Sequence, residues 1–341
     1  MSRPVLLPAA IGPARPAAGA EVRLLRGETM GTVWTVRVAT PPDSFNEASL
    51  RVDMETCLAE VCRQMSHWDP ASELMRFNRG DAGSVHRVSA GFEAVLDCAL
   101  DVARRSGGAY DPAAGHWVNL WGFGAQGRHD QPGFELPSMQ AVEAVRQSAS
   151  HGWADLHVER GCGRLSQPGG LTLDLGAVAK GHAVDVLSAR LSERGFAHHL
   201  VDIGGELRGE GTKPDGQPWW VDLELPSVLA TPVVSPLLAL HGLSVATSGD
   251  YRKGFRLDDG RLVAHTIDPR TGLPVMHGAA SVTVLHRECM WADAWSTALL
   301  VLGVQDGLDL ADRIGLPAFY VQRHGDELVP YASAAFEAML T

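Results

Sequence analysis

The chain of 341 residues is long enough for one large domain or two smaller ones, and either size buries a substantial core. Its composition, 45% hydrophobic and 20% charged, is that of a globular protein, and no apolar run reaches the roughly 18 residues that a membrane span needs. The net charge of -11 argues against a nucleic-acid binder, because affinity for a phosphate backbone depends on Lys and Arg. A local cationic pocket for a small anion remains compatible with that charge.

The cysteine pattern excludes two further classes of site. The count of five is odd, and the sequence contains no C-x-x-C pair, so neither a zinc site nor a disulfide framework is expected. Most of these thiols are predicted to be buried.

The N-terminal stretch 1–20 is rich in Pro and Ala, and Pro8 and Pro13 interrupt its apolar part. It is predicted to be a disordered leader, with a weak signal peptide as the alternative. It contains no cysteine that could carry a lipid, so a cytoplasmic location is expected, and export by the leader is the alternative. The region 21–341 is expected to be the catalytic region, with room for two closely packed subdomains.

Ordered structure is predicted to begin near Glu21, with a half-buried strand over 33–38. A long ordered loop, rich in Gly and aromatic residues, is predicted over 108–124. Helices are predicted over 46–65, in a short segment capped by Ser72, and over 90–105, 138–148, 178–194 and 292–303. Further strands are predicted within 157–175, 198–211, 219–225, 251–267, 280–286 and 316–322, including hairpins around Gly204-Gly205 and Asp259-Gly260.

These elements predict an α+β fold with mainly antiparallel sheets and packed helices. Strands outnumber helices, and many of them are joined as hairpins. This pattern argues against a doubly wound parallel sheet, in which strands and helices alternate.

The stretch LDLGAVAKGHAVD, residues 173–185, is read as a strand, a glycine turn and the start of a helix. Lys180 lies in the first helical turn, and Asp174 precedes it. A lysine at this place is either simply solvated or holds a phosphate together with the helix start. The spacing matches neither the P-loop nor the G-x-G-x-x-G pattern, so both readings stay open.

Asp293 and Thr297 are four residues apart in ADAWSTAL and therefore share one helix face. A carboxylate and a hydroxyl so placed offer two hard oxygen ligands, which magnesium prefers. The alternative is an acidic residue near a helix start and a threonine that bonds back to a carbonyl.

Two polar turns complete the candidates. His265 precedes the turn sequence Asp268-Pro269-Arg270-Thr271-Gly272 and is either a general base or a packed neutral imidazole. Thr247-Ser248-Gly249-Asp250 forms another polar turn shortly before it.

The succession of short motifs resembles the ApbE family, the FAD:protein FMN transferases, over about Gly27 to Phe319. The motifs, in chain order, are E-T-M-G-T, S-H-W-D-P-A-S-E-L-M-R-F-N, G-A-Y-D-P, V-N-L-W-G-F-G, D-L-G-A-V-A-K-G, I-G-G-E-L, A-T-S-G-D-Y, H-T-I-D-P-R-T-G-L-P and A-D-A-W-S-T-A-L.

The resemblance implies an ApbE-like, T-fold-like architecture and a magnesium-dependent activity. The family transfers FMN from FAD to a Thr or Ser hydroxyl of a target protein and releases AMP. The family's acceptors usually carry a short Ser/Thr-rich motif that ends at the flavinylated residue.

The resemblance also assigns roles to residues. The implied metal ligands are the backbone carbonyl of Ala177 and the side chains of Asp293 and Thr297, with Ser296 close by. The implied FAD contacts are Met30, Trp68, Ala109, Tyr110, Asp111, Asp174, Lys180 and Ile267. His265 matches the histidine that takes the proton of the acceptor hydroxyl, and Asp250 is a second candidate for positioning the metal or the base. At the Trp68 position the family commonly has tyrosine, so a hydrogen bond from a phenol is lost there.

Two other functions use the same residues. One is a magnesium-dependent FAD pyrophosphatase, in which water replaces the acceptor hydroxyl. The other is a flavin-binding protein without catalytic activity, which the presence of Asp293, Thr297, Lys180 and His265 disfavours.

Overall fold

The structure is a computed structural model that describes residues 4–8, 10–12, 14–148, 152–225, 235–250, 254–257, 262–325 and 327–340. Its helices are α1 Glu47–Met65, α2 Glu73–Asn78, α3 Ala90–Arg105, α4 Gly115–Leu120, α5 Met139–Ser148, α6 Ala179–Glu193, α7 Cys289–Leu302, α8 Val304–Ile314 and α9 Ala334–Glu337. Its strands are β1 Val5–Leu6, β2 Glu21–Thr29, β3 Thr32–Thr40, β4 Val85–Arg87, β5 His157–Glu159, β6 Arg164–Ser166, β7 His199–Ile203, β8 Glu206–Glu210, β9 Trp219–Asp222, β10 Leu237–Leu240, β11 Leu243–Gly249, β12 Gly254–Arg256, β13 Leu262–Ala264, β14 Ile267–Asp268, β15 Leu273–Pro274, β16 Ala279–His286, β17 Ala318–His324 and β18 Glu327–Ala332.

An eight-stranded antiparallel sheet, in the order β18-β17-β16-β11-β8-β7-β3-β2, forms the centre of the molecule. The tight turn between β2 and β3 places Met30 and Gly31 at φ values of 49° and 71°. Two successive positive φ values give the turn the twist that antiparallel neighbours need. The predicted α+β class with mainly antiparallel sheets is therefore confirmed.

Helices α1, α3, α6 and α7 cover one face of this sheet and enclose the larger core. The apolar residues of α1 recur at helical spacing, so one face of the helix packs into this core. The Asn46 side chain caps the start of α1 by accepting from the Ser49 N–H at 3.0 Å. The start of α6 lies directly on the start of α7. A side chain at Gly181 would collide with the backbone of Cys289 and Met290, so glycine is required for this approach.

A small sheet, β1-β10-β9, covers part of the opposite face together with α9. Here the prediction of a disordered leader over 1–20 is wrong for Val5 and Leu6. They pair in parallel with Leu237 and Leu238 of β10, and Leu6 is fully buried. The burial of Leu6 and its bridge to Leu340 supply the stabilisation that the leader's composition does not suggest.

Most predicted elements occur close to their expected bounds, and ordered strand structure does resume at Glu21. The strand predicted at 173–175 before the glycine turn is not formed, and α7 begins at Cys289 rather than at Ala292. The predicted loop over 108–124 is different, because it contains α4. The turn at Asp259-Gly260 lies outside the described residues, although β12 and β13 on either side of it do pair in antiparallel. Within the described part of the chain, none of the helices is both long enough and apolar enough to cross a bilayer.

Candidate functional site

The junction of α6 and α7 brings two of the predicted segments together. The Asp293 carboxylate, only 4% exposed, accepts a hydrogen bond from the Gly181 N–H at 3.0 Å. Gly181 directly follows Lys180, so the predicted metal ligand lies at the lysine-bearing helix start. Ala177 lies in the turn that leads into this helix, partly buried against the core.

Asp185 fixes the relative position of the same two helices. Its carboxylate accepts from the N–H groups of Cys289 and Met290, both at 2.9 Å, and so caps the start of α7. Arg208 on β8 donates to it at 2.8 Å. Burial raises the pKa of Asp185, whereas these hydrogen bonds act in the opposite direction.

Three hydroxyls form a cluster one helical turn beyond Asp293. The Ser248 Oγ on β11 lies 2.7 Å from the Ser296 Oγ and 3.1 Å from the Thr297 Oγ1. The Ser296 hydroxyl also donates to the Asp293 carbonyl at 2.9 Å. The cluster therefore joins the sheet to the helix face that carries Asp293 and Thr297.

Lys180 does not point freely into solvent. Its ammonium group contacts the carboxylate of Glu206 on β8, whose side chain is 2% exposed. Removal of one member of such an ion pair strongly destabilises the folded protein, because the other charge stays buried without a partner. This contact places the lysine between the helix start and the sheet.

The predicted flavin loop 109–111 lies beside Asp174. The Asp174 N–H donates to the Pro112 carbonyl at 2.8 Å, and the Asp174 carboxylate accepts from the Gly176 N–H at 2.7 Å. These bonds hold Asp174 against the loop that carries the predicted flavin residues.

Burial shifts the pKa values of two groups in this loop. Burial raises the pKa of Tyr110 well above its usual value, and its buried hydroxyl has no hydrogen-bond partner among the described residues. Burial also raises the pKa of Asp111 to about 6, although the N–H groups of Ala113 and Trp153 oppose this rise. Ala109, next to them, is buried.

The segment that follows β13 carries His265 and Ile267. Ile267 is buried against Ala114 and Trp117 of the α4 region. The ring of His265 is partly exposed, and its centroid lies 6.3 Å from that of Phe123. The predicted base therefore lies beside the segment that follows α4.

Trp68 and Met30 lie at the margins of these elements. The Trp68 side chain is 53% exposed, and the Arg128 guanidinium lies 5.2 Å from the centre of its ring. Met30 packs against the helix-side core from the β2–β3 turn. A cavity of about 90 Å³ lies nearby, lined by residues that include His67, Asn78 and Asp174.

Asp250 is held by a different partner from those expected. Both of its carboxylate oxygens bond to the guanidinium of Arg323 on β17, at 2.5 and 2.7 Å. This paired arrangement occupies the carboxylate and makes it a less direct candidate for the base than His265.

The polar turn predicted over 247–250 is wrong for Ser248, which lies on β11. The contacts of Ser248, Glu206 and Asp185 were not predicted from the sequence. Each of these residues lies within a motif already noted, ATSGDY, IGGEL or the stretch 173–185. Their contacts reach other segments, so only the motifs themselves give a signal. A larger cavity of about 520 Å³, lined among others by Arg37, Asp202 and Trp220, lies on the opposite face of the sheet and contains none of the predicted site residues.

The donor set at the helix junction fits magnesium. Asp293 offers a carboxylate, Thr297 a hydroxyl and Ala177 a backbone carbonyl, all hard oxygen donors. A single carboxylate leaves coordination positions for phosphate oxygens and water, as magnesium sites on nucleotides require.

Comparison with known proteins gives a consistent result. A profile of the ApbE family matches residues 30–320. The FAD:protein FMN transferase of Vibrio cholerae is 35% identical over 317 residues, which are 93% of this chain and 92% of that protein. The FAD:protein FMN transferase of Escherichia coli K12 is 33% identical over 324 residues, or 94% of this chain and 90% of that protein. The apo crystal structure of the Pseudomonas stutzeri flavinyl transferase ApbE is 36% identical, with a TM-score of 0.84 and coverage of 94% of this chain and 97% of that one.

Proposed function

The chain belongs to the ApbE family, and from this premise we propose that it is a magnesium-dependent FAD:protein FMN transferase. It transfers FMN from FAD to a Ser or Thr hydroxyl of an acceptor protein, forms a phosphoester and releases AMP. FMN transfer from FAD to a protein is the activity for which its relatives of 33–35% identity are named.

One structural observation carries the proposal to this chain. Asp293 and Thr297 share one face of α7, and Asp293 bonds to the α6 start directly after Lys180. The bond between Asp293 and the backbone next to Lys180 supports a site that combines hard oxygen ligands with a cation, as a pyrophosphate requires. The loop with Tyr110 and Asp111, beside Asp174, supplies polar groups for the flavin nucleotide.

The residues divide the work of the reaction. Asp293, Thr297 and the Ala177 carbonyl would hold the magnesium ion, which offsets the charge of the pyrophosphate when it is bound. Lys180, together with the α6 start, orients the phosphates. His265 accepts the proton of the acceptor hydroxyl while that oxygen attacks the FMN phosphorus and the bond to the AMP phosphate breaks.

The proposed acceptor is a protein segment with a Ser/Thr-rich motif that reaches the exposed side of His265. His265 is partly exposed and lies beside Phe123, which supports this direction of approach for the acceptor.

The test uses the purified protein with FAD, Mg²⁺ and candidate acceptor domains. The proposal predicts in-gel flavin fluorescence on the acceptor, and its loss when the acceptor Ser or Thr is changed to alanine. Rapid FMN release without any acceptor, and no labelled acceptor, would instead identify a pyrophosphatase.

A further inference from the structure

We propose that Ser248 is a positioning residue that orients the hydroxyl of Thr297 for the divalent cation. This inference deepens the proposed function and rests on its metal site. It comes from the hydroxyl cluster between β11 and α7, in which every oxygen lies within hydrogen-bonding distance of another.

The order of protons in this cluster follows from its one fixed end. The Asp293 carbonyl can only accept, so the Ser296 hydroxyl donates its single hydrogen bond to it. Ser296 must then accept from Ser248 across their 2.7 Å contact. Ser248 has no second proton, so across the 3.1 Å contact it accepts from Thr297. Each hydroxyl therefore donates to the next group in one chain: Thr297 to Ser248, Ser248 to Ser296, and Ser296 to the Asp293 carbonyl.

This order prepares Thr297 to bind a metal ion. A hydroxyl ligand approaches a cation with a lone pair, so its proton must point elsewhere. Ser248 accepts the hydrogen bond that this proton donates, so the lone pairs of the Thr297 oxygen can face the cation. Because the last acceptor is the carbonyl of Asp293 itself, the two predicted side-chain ligands belong to one connected network.

The same order gives Ser296 a different role from Thr297. Ser296 is fully buried, and both its proton and an acceptor position are engaged within the cluster. It therefore acts as a relay between Ser248 and α7, rather than as the hydroxyl presented to the cation.

The strand offers a matched control. Thr247, the neighbour of Ser248, faces the opposite side of the sheet and shares a 2.9 Å hydroxyl contact with Thr283 of β16. Thr247→Val thus removes a buried hydroxyl–hydroxyl hydrogen bond from the same strand without touching the cluster.

The experiment is a titration of Mn²⁺, followed by electron paramagnetic resonance, on the full chain with saturating FAD and no acceptor. Ser248→Ala is expected to weaken Mn²⁺ binding about tenfold, the usual scale for groups that orient metal ligands. Ser248→Thr, which restores a hydroxyl, is expected to stay near wild type, and so is Thr247→Val. Ser296→Ala is expected to weaken binding less than Ser248→Ala, because Ser248 then remains as an acceptor for Thr297.

Unchanged Mn²⁺ affinity in Ser248→Ala would overturn this inference and leave the proposed function standing. A greater loss in Ser296→Ala than in Ser248→Ala would also overturn it, because Ser296 would then be the ligand. If wild type itself binds no Mn²⁺ in the presence of FAD, the metal site of the proposed function fails as well. The melting temperatures of Ser248→Ala and Thr247→Val, measured in parallel, separate a loss of stability from a loss of metal affinity.

Discussion

The two halves of the candidate site are built differently. The cation half, with Asp293, Ser296 and Thr297, lies where α7 meets α6 and β11, and its Asp293 side chain is 4% exposed. The acceptor half, with His265, lies on the segment between β13 and β14, and His265 is partly exposed. Rigid elements fix the cation half, whereas the acceptor half is open to another molecule.

This difference matches the demands of the proposed chemistry. A phosphoryl-type transfer relies on positioning and charge neutralisation, so the groups around the pyrophosphate need fixed distances. An acceptor side chain arrives on another protein and needs an accessible surface. We therefore expect substitutions in the cation half to slow the reaction with every acceptor protein. Substitutions in the acceptor half should affect mainly the transfer step and leave FAD binding largely unchanged.

The largest effect is expected for Asp293→Asn. The amide can still accept from the Gly181 N–H, so the junction of the helices is kept while the ligand charge is lost. FMN transfer should fall by about 100-fold to 1,000-fold, the scale of losing a preorganised charge contact in a reacting site. Timed in-gel fluorescence of the acceptor measures the rate.

Asp309→Asn on the exposed side of α8 is the control for this change and should retain the wild-type rate. If Asp293→Asn transfers FMN at the wild-type rate with an unchanged melting temperature, the cation half is assigned to the wrong residue.

The next effect is expected for His265→Ala. Removal of a general base should slow transfer by about 100-fold, while FAD affinity changes little because the cation half is intact. Added imidazole should restore part of the rate, since it supplies the missing proton acceptor. His129→Ala is a matched control, because His129 stacks on Phe255 in the same aromatic group, with ring centroids 4.7 Å apart. A full transfer rate in His265→Ala would move the search for the base to Asp250.

A smaller effect, on stability, is expected for Asp111→Asn. The folded-state pKa of Asp111 is raised to about 6 from 3.8, so the unfolded chain releases this proton at a lower pH than the folded protein does. The contribution of Asp111 to stability is therefore complete below pH 3.8 and is lost as the pH rises through about 6. Above pH 6 the asparagine variant has no buried charge at this position. Its free energy of unfolding should then exceed that of wild type by about 1–3 kcal/mol.

Urea unfolding of wild type and Asp111→Asn at a series of pH values checks this prediction. The difference between the two should grow between pH 4 and pH 6 and then level off. A difference that is independent of pH would mean that Asp111 does not titrate in this range.

The smallest effect is expected at Trp68. Trp68→Ala should weaken FAD binding about three- to tenfold, because only one stacking face is lost from an exposed position. Trp68→Tyr retains an aromatic face and should bind nearly as well as wild type. Isothermal titration of FAD measures both, and a tyrosine variant as weak as the alanine variant would contradict a stacking role.

Local patterns account for much of what the sequence predicts. The caps at Asn46 and Ser72 act within three residues, and the apolar spacing of α1 is periodic, so their helices follow from the sequence alone. The spacing of Asp293 and Thr297 is likewise local and predicts their common face. By contrast, α4 lacks a side-chain cap and lies among glycine and aromatic residues, so the sequence gives no local signal for this helix.

What the sequence does not predict depends on distant partners. β1 exists because β10 and Leu340 lie beside it, more than 200 residues along the chain. Ser248 meets Thr297 across 49 residues, and Asp185 meets the start of α7 across 104. Local sequence patterns do not indicate such long-range contacts. The residues that hold the cation half in place, Ser248 and Asp185, can therefore be identified only from the three-dimensional structure.

The proposed function depends on a divalent cation bound between Asp293 and Thr297, against the pyrophosphate of FAD. The decisive experiment is anomalous diffraction from crystals grown with Mn²⁺ and FAD. We expect one Mn²⁺ peak at coordination distance from the Asp293 carboxylate and the Thr297 hydroxyl, in contact with the FAD phosphates. FAD bound with its pyrophosphate away from these two side chains, or a Mn²⁺ peak elsewhere, would contradict it.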